Sequence, residues 1–90
     1  MLKIVLSNRF RKDLKLAQKR GINLNLLRDV VNALANEEKL AAKYHDHDLS
    51  GVFSGFRECH IQPDWLLVYR IEKNELELFL FRTGTHSDLF

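Results

Sequence analysis

Residues 56–83 of the chain, FRECHIQPDWLLVYRIEKNELELFLFRT, decide its fold. Three runs within this stretch are rich in aromatic and β-branched side chains, namely 56–61, 65–72 and 75–83. Such runs are typical of strands. Pro63-Asp64 separates the first two runs and Lys73-Asn74 separates the last two, and both dipeptides favour turns. The stretch therefore predicts three consecutive strands of an antiparallel sheet.

The register of the last two strands follows from a two-residue turn at 73–74. This register puts Trp65 opposite Arg82, and on the other face of the sheet it puts Arg70 opposite Glu77. Opposite charges are favourable in such a cross-strand pair. We therefore expect both pairs in the folded sheet.

The residues before the sheet begin with a strand and a helix. Residues 3–6 contain β-branched side chains and predict a short strand. Ser7 or Asn8 is a good N-cap for a helix that runs to about Arg20, where Gly21 ends it. The apolar face of this helix has i, i+4, i+7 spacing and consists of Phe10, Leu14 and Ala17.

Asn23 is the predicted N-cap of a second helix, which runs to about Asn36. Its apolar side chains follow the helical period and are Leu27, Val30, Val31 and Leu34. Two amphipathic helices joined by a tight turn need a further surface on which to bury their shared apolar side. We predict an α+β fold in which two N-terminal helices pack on an antiparallel β-sheet, in the order β-α-α-β-β-β, as a single domain over residues 1–90.

The composition is that of an ordinary globular protein, with 46% hydrophobic and 29% charged residues. No apolar run reaches the roughly 20 residues that cross a bilayer. The lone cysteine, Cys59, has no partner for an internal disulfide, which fits a reducing compartment. These features predict a cytoplasmic protein without a membrane partner.

All four histidines lie at or after residue 45, and three of them stand in motifs that also contain acidic, turn-forming or hydroxyl side chains. Imidazole exchanges protons near neutral pH, so a histidine cluster beside a carboxylate suits acid–base catalysis. In the predicted sheet, Asp64 begins one strand and Arg82 ends its neighbour, so both lie at the same edge. His60 precedes the turn at this edge, His86 follows Arg82 by four residues, and His47 reaches in from the preceding loop. We therefore expect these groups to converge.

Several separated motifs resemble the YafQ-type toxins of bacterial toxin–antitoxin systems, within the RelE/ParE superfamily. The motifs are KDLKLAQKR at 12–20, DHDLSG at 46–51, GFRECHIQPDWLLVY at 55–69 and RTGTHSDLF at 82–90. The resemblance covers nearly the whole chain and implies a RelE-like fold. It also implies a ribosome-dependent endoribonuclease that cuts messenger RNA, and a cognate DinJ-like antitoxin that holds the toxin inactive in a heterotetramer.

The resemblance also implies roles for individual residues. The matched catalytic positions are His47, His60, Asp64 and His86. Arg82 and Phe90 match positions around the substrate, whereas Asp48 stands where family members often have proline. No cofactor and no metal is implied.

Metal-free RNA cleavage requires a base for the 2′-hydroxyl, a cation for the phosphate and an acid for the leaving 5′-oxygen. We expect His60 and Asp64 to act near the 2′-hydroxyl and His86 to act as the acid. His47 then orients or neutralises the substrate, and Arg82 is the cation. The products are a 2′,3′-cyclic phosphate and a 5′-hydroxyl end.

The charge of the chain is divided between its halves. Residues 1–45 contain ten Lys and Arg residues and four Asp and Glu residues. Residues 46–90 contain four Lys and Arg residues and eight Asp and Glu residues. A basic half favours a polyanionic or acidic partner. Lys12, Lys15 and Lys19 share the polar face of the first helix, and we expect them to dock on ribosomal RNA.

Three other interpretations use the same residues. ParE-type relatives poison DNA gyrase by binding alone, so the fold does not decide the activity. His45, His47, His60 and Asp64 are also possible zinc ligands, but no cysteine pair assists them. Asp64 after a proline, or His60 on a strand, is equally compatible with a purely structural role. The nuclease interpretation alone uses the whole histidine–aspartate set.

Overall fold

A computed structural model describes all 90 residues. The helices and strands, in chain order, are β1 (Lys3–Leu6), α1 (Asn8–Lys19), α2 (Leu24–Ala35), β2 (His47–Asp48), β3 (Arg57–Gln62), β4 (Trp65–Glu72), β5 (Glu77–Gly84) and α3 (His86–Leu89). Two short 3-10 turns, Ala42–Tyr44 and Gly51–Phe53, flank β2. No helix is long and apolar enough to span a membrane.

The five strands form one sheet in the order β1-β5-β4-β3-β2. The three central strands β3, β4 and β5 pair antiparallel with one another, as predicted, and the α+β fold class is confirmed. Two features at the sheet edges were not predicted. The predicted strand β1 pairs parallel to β5, because two helices rather than a tight turn follow it. The two residues of β2 extend the other edge antiparallel to β3.

The predicted register between β4 and β5 is wrong. The connection spans residues 73–76, and Glu72 pairs with Glu77. Leu76 adopts a left-handed conformation with φ of 54°, which a hydrophobic side chain rarely does, so the sequence contains no ordinary signal for this longer turn. Arg70 therefore lies opposite Phe79 instead of Glu77.

A β-bulge shifts the same pair of strands once more. Tyr69 pairs with Leu80 and Val68 pairs with Arg82, which leaves Phe81 as the extra residue. The Ser7 hydroxyl donates to the Phe81 carbonyl at 2.6 Å and accepts the Phe10 N–H at 2.9 Å. Ser7 is thus the N-cap of α1, as predicted, and also a tie between this helix and the bulge.

The main core lies between the two long helices and one face of the sheet. It contains fourteen buried residues, among them the predicted apolar face of α2 and alternate residues of β3, β4 and β5. Cys59 and Ile61 are in this core. Glu58 and His60 alternate with them along β3 and therefore project to the opposite face of the sheet. This opposite face carries the candidate site.

Candidate active site

Asp64 and His86 form a direct pair at one end of the sheet. His86 Nδ1 lies 2.7 Å from Asp64 Oδ1, and the His86 backbone N–H donates to the same oxygen at 3.1 Å. A carboxylate oxygen can only accept, so Nδ1 carries the hydrogen and Nε2 points away from the pair. Hydrogen bonds from His86 hold the pKa of Asp64 below its usual range. Asp64 therefore stays ionised and fixes the tautomer of the imidazole.

The short helix α3 holds His86 in place. Thr85 caps it, and its side chain accepts the Asp88 N–H while the Asp88 carboxylate accepts the Thr85 N–H. Arg20, at the end of α1, binds both oxygens of Asp88 at 2.7 and 3.2 Å. This guanidinium holds the pKa of Asp88 well below its usual range. A capping box and an ion pair therefore anchor four residues that are too few to be helical alone.

His60 is the centre of a cluster of imidazole rings. Its ring centroid lies 5.8 Å from that of His86, 6.4 Å from that of His47 and 5.6 Å from that of His45. The predicted convergence of His47, His60, Asp64 and His86 is therefore present in the structure. The Asp64 carboxylate, however, pairs with His86 and not with His60.

Glu58 lies between two of the imidazoles, and the sequence analysis gave it no role. Its side chain is only 8% exposed, and Oε1 lies 3.5 Å from His47 Nε2 and 3.7 Å from His60 Nε2. Both distances are longer than ordinary hydrogen bonds, so Glu58 forms an ion pair with either ring only when that imidazole carries a proton on both nitrogens. The available signal was the i, i+2 spacing of Glu58 and His60, which puts both side chains on one face of β3.

An ion-pair network fixes the strand that carries His47. Arg57 binds Asp48 at 2.5 Å and Asp46 at 3.1 Å, and the Tyr69 hydroxyl donates to Asp46 at 2.5 Å. The hydrogen bond with Asp46 raises the pKa of Arg57, and burial raises that of Tyr69. Asp48 is therefore a partner of Arg57. Both neighbours of His47 are held, which limits its position above β3.

His47 is also oriented through its own ring. Its Nδ1 lies 2.6 Å from the carbonyl oxygen of His45, which can only accept, so Nδ1 carries the hydrogen. His45 itself has a left-handed conformation with φ of 48°, and this turn points its carbonyl at the His47 ring. The free Nε2 of His47 is left on the side of Glu58.

Arg82, the predicted phosphate contact, is paired within the protein. Its Nε and Nη2 donate to Asp13 at 2.8 and 3.2 Å, and its side chain is 16% exposed. This hydrogen bonding raises the pKa of Arg82. Asp13 also accepts the Thr83 N–H. The sequence analysis missed this pair because α1 and β5 are far apart in the chain.

The remaining predicted substrate contacts lie at the surface. Phe90 is 57% exposed and packs edge-to-face on Phe53 at 5.3 Å. Lys12, Lys15 and Lys19 are all exposed on α1. None of these four side chains belongs to the imidazole cluster.

The chemistry open to this site is proton transfer. Nε2 of His86 and Nε2 of His47 are both free of backbone partners. The carboxylates of Asp64 and Glu58 compensate the positive charge that these rings carry when they are protonated. Cys59 offers no alternative nucleophile, because burial raises the pKa of its thiol to about 12. No group of three or more His, Cys, Asp or Glu side chains has the spacing to hold a metal ion.

Comparisons with known proteins agree with one another. A family model described as a bacterial toxin of type II toxin–antitoxin systems, YafQ, matches residues 2–90. The mRNA interferase toxin YafQ of Escherichia coli K12 is 42% identical over 85 residues, which is 93% of this chain and 90% of that protein. The crystal structure of a metal-bound toxin from Helicobacter pylori is 56% identical, with a TM-score of 0.95 and complete coverage of both chains. A chain of the E. coli DinJ–YafQ complex is 41% identical, with a TM-score of 0.90 over 100% of this chain and 99% of that one.

Proposed function

Because the chain belongs to the YafQ family of toxins from bacterial type II toxin–antitoxin systems, we propose that it is an endoribonuclease that cuts messenger RNA on the ribosome without a metal. The name mRNA interferase, carried by the E. coli relative, supports the substrate class. The observation that carries the proposal is the Asp64–His86 pair, 2.7 Å between nitrogen and oxygen, with the His60 ring 5.8 Å from that of His86.

In the proposed reaction, the 2′-oxygen attacks the adjacent phosphorus and the bond to the 5′-oxygen breaks. His60 accepts the proton of the 2′-hydroxyl, and protonated His86 gives a proton to the leaving 5′-oxygen through Nε2. Asp64 stabilises the imidazolium of His86 before this transfer, as a carboxylate does for a catalytic histidine in general. A 2′,3′-cyclic phosphate and a 5′-hydroxyl end result.

Positive charge at the phosphate has two sources in this proposal. Asp13 engages Nε and Nη2 of Arg82, which leaves the N–H groups of Nη1 for a phosphate oxygen. Protonated His47 faces the same cluster from the opposite side, and Glu58 compensates its charge when no substrate is bound. Donors that are already oriented lower the barrier more than donors that must reorganise.

The proposed partners are the ribosome and an antitoxin. The exposed Lys12, Lys15 and Lys19 lie on one helix and form a basic strip that suits ribosomal RNA phosphates. The DinJ–YafQ complex of E. coli supports a DinJ-like antitoxin for this chain as well. We propose that the two proteins form a heterotetramer. Phe90, more than half exposed, is a proposed stacking surface for an RNA base.

The test is to induce His86→Ala and His60→Ala separately in bacteria and to map RNA 5′ ends. Each variant loses a proton-transfer group, so transcript cleavage and growth arrest fall by roughly 10²–10⁴-fold. Asn74→Ala, in the exposed turn before β5, is the matched control and cuts like the parent protein. Circular dichroism checks that both histidine variants fold. Cleavage at the parent rate by both variants would refute the proposed roles.

Gyrase inhibition on the same fold is the alternative. It requires binding but no proton transfer, so His86→Ala would still arrest growth, with DNA damage and intact transcripts. The cluster of imidazoles with two carboxylates favours the nuclease.

Metal independence has its own test, prompted by the metal-bound H. pylori relative. We expect cleavage at the same rate after EDTA treatment and dialysis. Added Cu²⁺ or Zn²⁺ should slow cleavage, because these ions coordinate the imidazole nitrogens that transfer protons. Loss of activity with the chelator, and its recovery with one metal, would show that the reaction requires that metal.

A further inference from the structure

A groove of about 700 Å³ opens beside His60, and His86 is not among its lining residues. It runs between the first half of α2, the 3-10 turn at 42–44 and the end of β3. Its floor is apolar and includes Leu26 and Ile61. Its volume lies within the range of roughly 300–1,000 Å³ that is usual for small-molecule sites.

Polar groups without partners line this groove. Asp29, Lys43 and Gln62 all border it, and none of the three side chains forms a hydrogen bond or an ion pair within the protein. Ring surfaces come from Tyr44 and His45, which also line the groove. An apolar floor, aromatic edges and a few free polar groups are the features of a ligand site.

The groove and the catalytic cluster share His60. The His45 ring, on the groove rim, stands 5.6 Å from the His60 ring. An RNA strand whose scissile phosphate lies between His60 and His86 therefore continues to the groove mouth on one side. The nucleotide next to the scissile phosphate is therefore the part of the substrate that can reach the groove.

We propose that this groove is a nucleobase subsite, in which one base flanking the scissile phosphate inserts beside His45 and presents its edge to Asp29 and Gln62. The inference rests on the proposed nuclease function and deepens it. Single-stranded RNA is read in this way, with unstacked bases held on aromatic side chains and bonded at their edges.

The charges of the groove favour a base over the other candidates. The groove holds one ammonium, that of Lys43 at 5.1 Å from the Tyr44 ring centroid, and one unpaired carboxylate, that of Asp29. A phosphate or an acidic antitoxin segment gains from Lys43 but is repelled by Asp29. A neutral base avoids this repulsion, and an exocyclic amino group donates to the carboxylate. Adenine, cytosine and guanine have such an amino group, whereas uracil has only its N3–H, which is flanked by two carbonyl oxygens that the carboxylate repels. The subsite therefore selects against uracil at one position beside the cut.

The test compares the parent protein with Asp29→Asn and Gln62→Ala, each induced in bacteria without antitoxin. RNA 5′ ends are mapped, and the base composition at each flanking position is normalised to the total number of cuts. The parent shows depletion of uracil at one position, and Asp29→Asn reduces this discrimination about fivefold or more, because an amide both donates and accepts. Gln62→Ala alters the composition at the same position. Glu75→Gln, an exposed carboxylate in the turn before β5, is the matched control.

Each other outcome overturns the inference for a distinct reason. If the parent leaves transcripts intact, the nuclease function itself is wrong and the subsite is wrong with it. If the parent cuts but all variants give the same flanking composition, the groove does not read the base. If that composition is unchanged while Asp29→Asn weakens binding of the cognate antitoxin, measured by calorimetry, the groove holds the antitoxin instead.

Discussion

At the scale of single residues, the site depends on which atoms of each imidazole are already engaged. Nδ1 of His86 is bound to Asp64 and Nδ1 of His47 is bound to the His45 carbonyl. Both rings therefore present Nε2 to the space around His60. The tautomers are thus set by their acceptors, which makes the proton positions a consequence of the fold.

We predict that Asp64→Asn slows transcript cleavage at least about tenfold, but less than His86→Ala does. The asparagine oxygen still accepts from Nδ1, whereas the negative charge that stabilises the imidazolium is gone. Cleavage rates on one translated transcript measure the difference. Parent activity in Asp64→Asn would show that the charge has no part in the reaction.

The residues of the cluster could be predicted from the sequence, whereas their partners could not. His47, His60, Asp64 and His86 stand in motifs that the chain displays directly. The pairing of Asp64 with His86 depends on the angle at which α3 leaves β5, and a sequence carries no measure of that angle. The sequence did not identify Glu58, because a single acidic residue on a strand occurs in many structural contexts.

At the scale of elements, two anchors position the catalytic histidines. Arg57 and Tyr69 hold the strand that carries His47, and Arg20 holds the helix that carries His86 through Asp88. Both anchors join segments remote in sequence. A two-residue strand and a four-residue helix have no periodic signal of their own, which is why the sequence predicted neither.

Tyr69→Phe tests the hydroxyl of the first anchor, which donates to Asp46 and also accepts from Arg57 at 3.4 Å. The variant removes the hydroxyl that donates to Asp46 and keeps the ring in the core. We expect the free energy of unfolding to fall by about 1–2 kcal/mol, since the acceptor is charged. Urea titration measures this change. Because Asp46→Ala removes the acceptor of the same bond, a double variant with strictly additive losses would contradict the coupling.

The second anchor is tested through activity. Arg20→Ala and Asp88→Asn both loosen α3, so each should slow cleavage by roughly threefold to tenfold through misplacement of His86. The double variant should be no slower than the worse single variant, because the two residues act through one contact. Arg11→Ala, which removes an exposed guanidinium of α1 outside the docking strip, is the control for lost charge, and a loss equal to that of Arg20→Ala would point to charge instead of position.

At the scale of the whole molecule, the stability of the fold depends on the ionisation of two aspartates. Hydrogen bonds hold the pKa values of Asp88 and Asp64 below those of unfolded aspartate. A carboxylate whose pKa is lower in the folded state than in the unfolded state stabilises the fold at pH values above the unfolded pKa of about 3.9. This contribution is lost as the pH falls from that value through the folded pKa.

The urea midpoint should therefore be lower at pH 3 than at pH 7. The Asp88→Asn variant should show a smaller decrease, since it has one fewer carboxylate to protonate. Chemical denaturation followed by fluorescence of Trp65 at both pH values gives the comparison. An equal decrease in parent and variant would remove Asp88 from the explanation.

Charge also underlies the proposed docking on the ribosome. Lys12→Glu, Lys15→Glu and Lys19→Glu together should reduce cleavage of translated transcripts, most strongly at low salt, because added salt weakens the phosphate contacts of the parent protein as well. Asp29 and the imidazole cluster are untouched by these changes. Unaltered cleavage at every salt concentration would exclude the strip as a docking surface.

The bulge at Phe81 limits which length changes this protein can accept during evolution. Deleting Phe81 would remove the carbonyl that Ser7 binds, and inserting a further residue beside it would move Arg82 and Thr83 to the opposite faces of β5. The tie to Asp13 and the bond from Trp65 to Thr83 would be lost together. Insertions in the exposed turn at 73–76 leave both intact. Homologous genes should therefore vary in length at that turn and keep the spacing from Leu80 to His86 constant.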